Sequence, residues 1–187
     1  MQIKYFPINS KNSYVVFENN DKIEELEPFM KENNLSRIIF SGFLGYSKSV
    51  LPFNNDIDVI EEITIQCSNI TDVTPLYHLS NIKKISIEEN TALAHPFDIR
   101  KIVNLTDFFT DKKIDNLIAT LAQKNNLEKL TLWNQGNLDS IIPLSKLEHL
   151  TTLNIWEQTK IIDGKISFLN QMQNLKKIDI RKYIHYH

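Results

Sequence analysis

Residues 60–90 read IEEITIQCSNITDVTPLYHLSNIKKISIEEN and hold one apolar spacing twice. Ile60, Ile63 and Ile65 stand at i, i+3 and i+5, and Ile82, Ile85 and Ile87 repeat that spacing 22 residues later. The same spacing runs through most of the chain. Its first positions are Leu35, Ile60, Ile82, Leu105, Leu127, Leu150 and Leu175, at intervals of 22 to 25 residues. Three residues on come Ile38, Ile63, Ile85, Phe108, Leu130, Leu153 and Ile178; five residues on come Phe40, Ile65, Ile87, Thr110, Leu132, Ile155 and Ile180. Only Thr110 departs from apolar character, so a single period governs residues 35–182. A unit this short cannot bury its apolar face alone. It must stack on its neighbours, each contributing a short strand, a corner and a return segment.

The corners carry a second signal. Asn34, Asn81, Asn104, Asn126 and Asn174 directly precede repeat starts. Asn tolerates the left-handed conformation that ends a helix, so these positions are expected to turn the chain from a helical return into the next strand. Thr74-Pro75-Leu76 predicts a capped helix start with Pro at its first position. Residues 113–124 predict the best helix, with Ile114, Leu117, Ile118 and Leu121 on one stripe. Residues 41–58 hold Gly42 and Gly45 and predict an irregular loop.

Residues 1–34 do not follow the repeat. Stretches 2–8 and 13–17 predict two strands around a polar turn at 9–12, and Asp21-x-x-Glu24 predicts a helix start, with Pro28 dividing that helix. The segment is expected to cap the first coil. After the last repeat only the aromatic run 183–187 follows, so the last coil is expected to expose a strand edge unless that run or another chain covers it.

The pattern L-x-x-L-x-L-x-x-N followed by I-x-D-I-x-P-L-x-x-L resembles the 22-residue class of leucine-rich repeats found in bacterial internalins. Residues 60–79 and 127–147 match it best. The resemblance implies an α/β leucine-rich repeat solenoid of about seven repeats over 35–187. A curved parallel sheet would line its concave face and helices and turns its convex face, behind an N-terminal α+β cap over 1–34, in one continuous domain. The strand-motif asparagine survives only at Asn90, with Ser68, Gln135 and Gln158 in its place elsewhere, which predicts an incomplete asparagine ladder.

Side chains alternate along a strand, so the residues between the apolar positions face the concave side. They form three columns: Arg37, Glu62, Lys84, Asp107, Lys129, Thr152, Lys177; then Ile39, Thr64, Ser86, Phe109, Thr131, Asn154, Asp179; then Ser41, Gln66, Glu88, Asp111, Trp133, Trp156, Arg181. Both tryptophans fall in neighbouring repeats of the third column, and the core pattern requires neither. Exposed aromatic residues and Arg dominate binding hot spots. Phe109, Trp133, Trp156 and Arg181, rimmed by Asp107, Asp111, Lys129 and Glu157, are therefore the candidate partner-binding residues. The alternating first column predicts a cross-strand charge ladder that supports the sheet.

Composition narrows the function classes. A net charge of −2 gives no general attraction to nucleic acid or anionic membrane. Cys67 is the single cysteine, so no intrachain disulfide forms, which suits a reducing compartment. The N-terminus shows no signal peptide, and no apolar run reaches the length of a membrane helix. Four glycines leave no phosphate-binding loop. His185 and His187 lack a third metal ligand, and neighbouring acids such as Glu61 and Glu62 point in different directions along a strand. The expectation is a cytoplasmic, non-catalytic protein-binding module without cofactor or metal. It would recognise or neutralise a partner protein, in the manner of a bacterial toxin-immunity protein. The alternative is a scaffold that self-associates through its C-terminal repeat, as a homodimer.

Overall fold

The computed structural model describes residues 1–5, 13–88, 93 and 96–181. The expected turn at 9–12, Asn90 and the run 183–187 lie outside the described residues. A nine-stranded sheet forms the spine. Strands β1 (Gln2–Tyr5) and β2 (Ser13–Val16) pair antiparallel, and β2 lies parallel to β3 (Arg37–Ser41). Parallel pairing continues through β4 (Glu62–Gln66), β5 (Lys84–Glu88), β6 (Asp107–Thr110) and β7 (Lys129–Trp133). Beyond β7, two short strands β8 (Asn137–Leu138) and β10 (Lys160–Ile161) pair with each other, while β9 (Thr152–Trp156) and β11 (Lys177–Ile180) extend the main sheet. Each strand-to-strand crossover is one coil of the solenoid.

The register follows the repeat residue for residue. Ile38, Ile63, Ile85, Phe108, Leu130, Leu153 and Ile178 are successive partners, as are Phe40, Ile65, Ile87, Thr110, Leu132, Ile155 and Ile180. These rows and the repeat starts fill one continuous core that is sealed from Leu35 to Ile155. The last coil is open: Ile178 is 44 % exposed, and Leu175 and Ile180 are only partly buried.

Thr110 breaks the apolar row without leaving a loose polar group. Its hydroxyl accepts from the Lys112 backbone N–H at 2.9 Å and lies 3.1 Å from the Lys112 carbonyl. Lys112 is itself wholly buried, and its amine donates to the Ile70 carbonyl at 3.1 Å. The corner that follows the strand is thus filled by different chemistry in different coils, and of the residues at the asparagine's own position Ser68 is exposed and Gln135 buried. Cys67 donates to the Tyr46 carbonyl, and Gln135, 2 % exposed, donates to the carbonyls of Thr110, Lys112 and Trp133. In the next coil Gln158 is exposed and Thr159 is the buried residue, accepting from the Gln135 N–H at 2.9 Å.

The asparagines before the repeat starts act differently from the expectation. Only Asn34 is left-handed, at φ 52°. Asn81, Asn104, Asn126 and Asn174 instead donate their side-chain amides to carbonyls one coil back, those of Asp58, Ser80, Val103 and Glu148, at 2.7 to 3.0 Å. An asparagine ladder does exist, on the opposite corner from the strand motif.

The returns are tighter than expected. Thr74–His78, Ile142–Lys146 and Ser167–Gln171 are five-residue 3-10 helices. A coil of 22 or 23 residues leaves few for the return, and a 3-10 helix covers more length per residue, about 2.0 Å against 1.5 Å. Asp72, not Thr74, caps the first of them, accepting the Thr74 N–H at 2.8 Å. Asn116 adopts φ 56° and shortens the helix expected over 113–124 to α2 (Leu117–Leu121). In the N-terminal segment, Asp21 accepts from the Met1 amine and from the Glu18 N–H instead of capping a helix. A 3-10 turn at Ile23–Glu25 leads into α1 (Leu26–Glu32). Pro28 sits in the first turn of α1, where a backbone N–H would have had no helical acceptor. The loop after β3 is irregular but packed: Tyr46 is buried against Phe17 and Phe40, Phe40 meets Phe53 in turn, and the Tyr46 hydroxyl donates to the Val50 carbonyl at 2.7 Å.

Candidate functional site

The concave face is built by the residues between the core rows, and the parallel register stacks them coil upon coil. The first column is a charge ladder. Arg37 reaches Glu62 at 2.5 Å, Lys84 lies 3.9 Å from Glu62, and Lys129 lies 3.8 Å from Asp107. Burial pushes the Asp107 carboxyl above its usual range, against the pull of Lys84 and Lys129. Glu62, Lys84, Asp107 and Lys129, together with Glu61, Lys83, Thr106 and Glu128, line a cavity of about 160 Å³ at the strand starts. Lys83 pairs with Glu61, Lys84 with Glu62 and Lys129 with Asp107, which fits sheet support.

The third column carries the aromatic cluster, and the register explains its contacts. Trp133 and Trp156 are direct partners across β7 and β9. Their rings meet edge to face, with centroids 5.7 Å apart and planes at 83°. Phe109, one strand earlier in the middle column, meets Trp133 the same way, at 6.1 Å and 77°. On the far side the Arg181 guanidinium lies 4.8 Å from the centre of the Trp156 ring. Four of the expected residues therefore form one ladder across β6, β7, β9 and the end of β11. Edge-to-face geometry sets the positive rim of one ring against the negative face of the next, and a cation over an indole face is attracted by the same charge distribution.

The rim residues divide into two places. Asp107 and Lys129 belong to the first column, and Asp111 continues β6 at its other end, its N–H donating to the Ile87 carbonyl at 3.1 Å. Four residues of strand, about 13 Å, separate Asp107 from Asp111. Only Asp111 and Glu157 border the aromatic end. Glu157 follows Trp156 at φ 56°, a turn in the left-handed region, and its charge adds to the field that keeps Arg181 protonated.

Two further residues belong to this site. Asp179 holds Arg181 in place, accepting from its guanidinium nitrogens at 2.7 and 3.0 Å. Arg181 keeps the Asp179 carboxyl below the usual range; the nearby Trp156 indole N–H favours its ionised form too, without meeting hydrogen-bond geometry. Asn154 is only 7 % exposed and donates to the Thr131 hydroxyl at 3.0 Å. Its amide oxygen and the Trp156 indole nitrogen find no hydrogen-bond partner among the described residues. Both residues stand in the concave columns, beside the tryptophans. The missing signal was proximity: each lies two residues from an aromatic or Arg of the third column on its own strand.

The concave middle is also tighter than alternation predicts. Ile39, Ser86 and Asn154 are buried there, as is Ser41 in the third column. Among the described residues, no three His, Cys, Asp or Glu side chains converge as metal ligands, and no helix is long and apolar enough to cross a membrane.

No family model matches the sequence, and no curated protein matches it. Solved structures do match the fold. An internalin (InlF) from Listeria monocytogenes aligns with a TM-score of 0.54 at 16% identity, over 84% of this chain and 52% of that one. The matched region thus spans about half of that internalin's length. An internalin C2 (InlC2) from the same organism aligns over 73% of each chain, at 20% identity and a TM-score of 0.45. The fold of this chain is an internalin-type leucine-rich repeat solenoid, with a curved parallel sheet as its concave wall.

Proposed function

From an internalin-type leucine-rich repeat fold, we propose that this chain is a non-catalytic module that binds another protein through the C-terminal half of its concave face. The observation that carries this reading is the ladder of Phe109, Trp133, Trp156 and Arg181, contiguous and only partly buried. Aromatic and Arg side chains bury large areas at small entropic cost. The paired charges of the first column favour a supporting role for that column, so the partner is expected on the aromatic end. We place this role in the cytoplasm, where the buried thiol of Cys67 stays reduced, and give the chain the task of sequestering or neutralising its partner, as an immunity protein does to a toxin.

The test compares capture of a partner by the wild type and by Trp133→Ala/Trp156→Ala, with circular dichroism confirming that both are folded. Hot-spot truncations cost about 2 kcal/mol or more each. A protein captured by the wild type and lost by the variant supports the concave site, and its identity separates neutralisation from recruitment. Equal capture by both removes the tryptophans from the interface and leaves them as cover for the sheet.

A further inference from the structure

The last strand of the main sheet is the part of the molecule least provided for. On its inner side β11 is fully laddered to β9: Lys177 donates to Thr151 at 3.0 Å and Arg181 to Ile155 at 2.9 Å. In a parallel ladder, residues alternate in the direction of their backbone groups. Residues 177, 179 and 181 therefore bond inward, and the N–H and C=O groups of Ile178 and Ile180 point outward. Among the described residues no strand lies on that side. The core face of the same coil is open as well, with Ile162, Ile166 and Ile178 each more than 40 % exposed.

We propose that β11 pairs antiparallel with β11 of a second copy, about a two-fold axis through Ile178. Two properties of the strand fit this occupant and this register. First, a two-fold axis at Ile178 places its outward N–H and C=O opposite the same groups of the partner's Ile178, the arrangement of a hydrogen-bonded antiparallel pair. Second, Lys177 then lies directly opposite the partner's Asp179, and Asp179 opposite the partner's Lys177, both on the concave face. Opposite charges directly across a pair stabilise it, and like charges do the reverse. Moving the axis one residue, to Asp179, would set Asp179 against its own copy and Lys177 against the partner's Arg181. The charge pattern thus excludes the neighbouring register. On the core side Ile178 meets its own copy, and the apolar end of each coil covers the other. The two nine-stranded sheets join into one, with an aromatic ladder on each side of the axis.

The measurement is light scattering coupled to size exclusion over a dilution series, on the full chain and two variants whose folding is checked by circular dichroism. The wild type is expected at twice the 21.8 kDa chain mass. Lys177→Asp sets acid against acid twice per dimer and should weaken dimerisation about tenfold or more. Lys177→Asp/Asp179→Lys exchanges the charges and should restore it, an outcome that no other docking surface produces. A monomer at every concentration overturns the proposal, including a monomer whose Ile178 amide resists hydrogen exchange, since the edge is then covered from within the same chain. A dimer indifferent to Lys177→Asp overturns it too.

Discussion

Trp133 and Trp156 are paired across two strands and meet edge to face, with ring centroids 5.7 Å apart. Two indoles held this close and nearly perpendicular couple their electronic transitions. The circular dichroism spectrum of the folded protein should carry an exciton couplet that disappears in both Trp133→Phe and Trp156→Phe. A spectrum unchanged by either substitution would mean that the rings are not held in this geometry in solution.

Asp107 provides a pH signature of the concave face. Burial raises its carboxyl above the ordinary value of 3.8. Between 3.8 and the raised value the native state holds a proton that the unfolded chain has released, so acid favours the native state there. The wild type, compared with Asp107→Asn by urea denaturation, should lose relative stability as pH rises through that window and then hold level. The opposite slope would show that Lys84 and Lys129 outweigh burial.

Gln135 bridges three carbonyls from inside the core. Gln135→Leu keeps much of the volume and removes a donor from the carbonyls of Thr110 and Trp133. Leaving buried polar groups unsatisfied costs about 1–3 kcal/mol. A loss in that range in equilibrium unfolding is expected. A neutral result would show that these carbonyls find other donors.

Ile63 and Ile178 hold the same repeat position, yet Ile63 is 1 % exposed and Ile178 is 44 % exposed. Ile63→Ala should cost about 2–5 kcal/mol as a buried truncation. Ile178→Ala, measured at concentrations where the chain is monomeric, should cost well under half of that. Equal losses would mean that the last coil is as well covered as the second.

The strand register and the three concave columns were legible because one apolar period repeats through seven coils, and period alone sets which residues pair. The aromatic ladder followed directly, since Trp133 and Trp156 occupy equivalent positions. What escaped was chemistry that depends on neighbours in space. Asn81, Asn104, Asn126 and Asn174 were visible as a column, but their acceptors are carbonyls one coil back, and a backbone preference of Asn suggested a left-handed turn instead. Gln135 read as a departure from the motif, although one extra methylene still reaches the same kind of carbonyl. The helix over 113–124 was overestimated because an apolar stripe shows no sign of the left-handed turn that Asn116 makes. Asp179 and Asn154 were placed in their column but not joined to the aromatic end, because a column shows residues across strands and hides those two apart along one.

The corner asparagines have a consequence for how the molecule comes apart. Each of these amides is tied to the coil before it, so four coils lean on their predecessors. In a stacked array of this kind, stability is a sum over nearest neighbours. The first coil is backed by the β1–β2 pair, and among the described residues of one chain the last coil has a neighbour on one side only. In the monomer, opening therefore begins at β11 and travels inward, as a zip with a single slider.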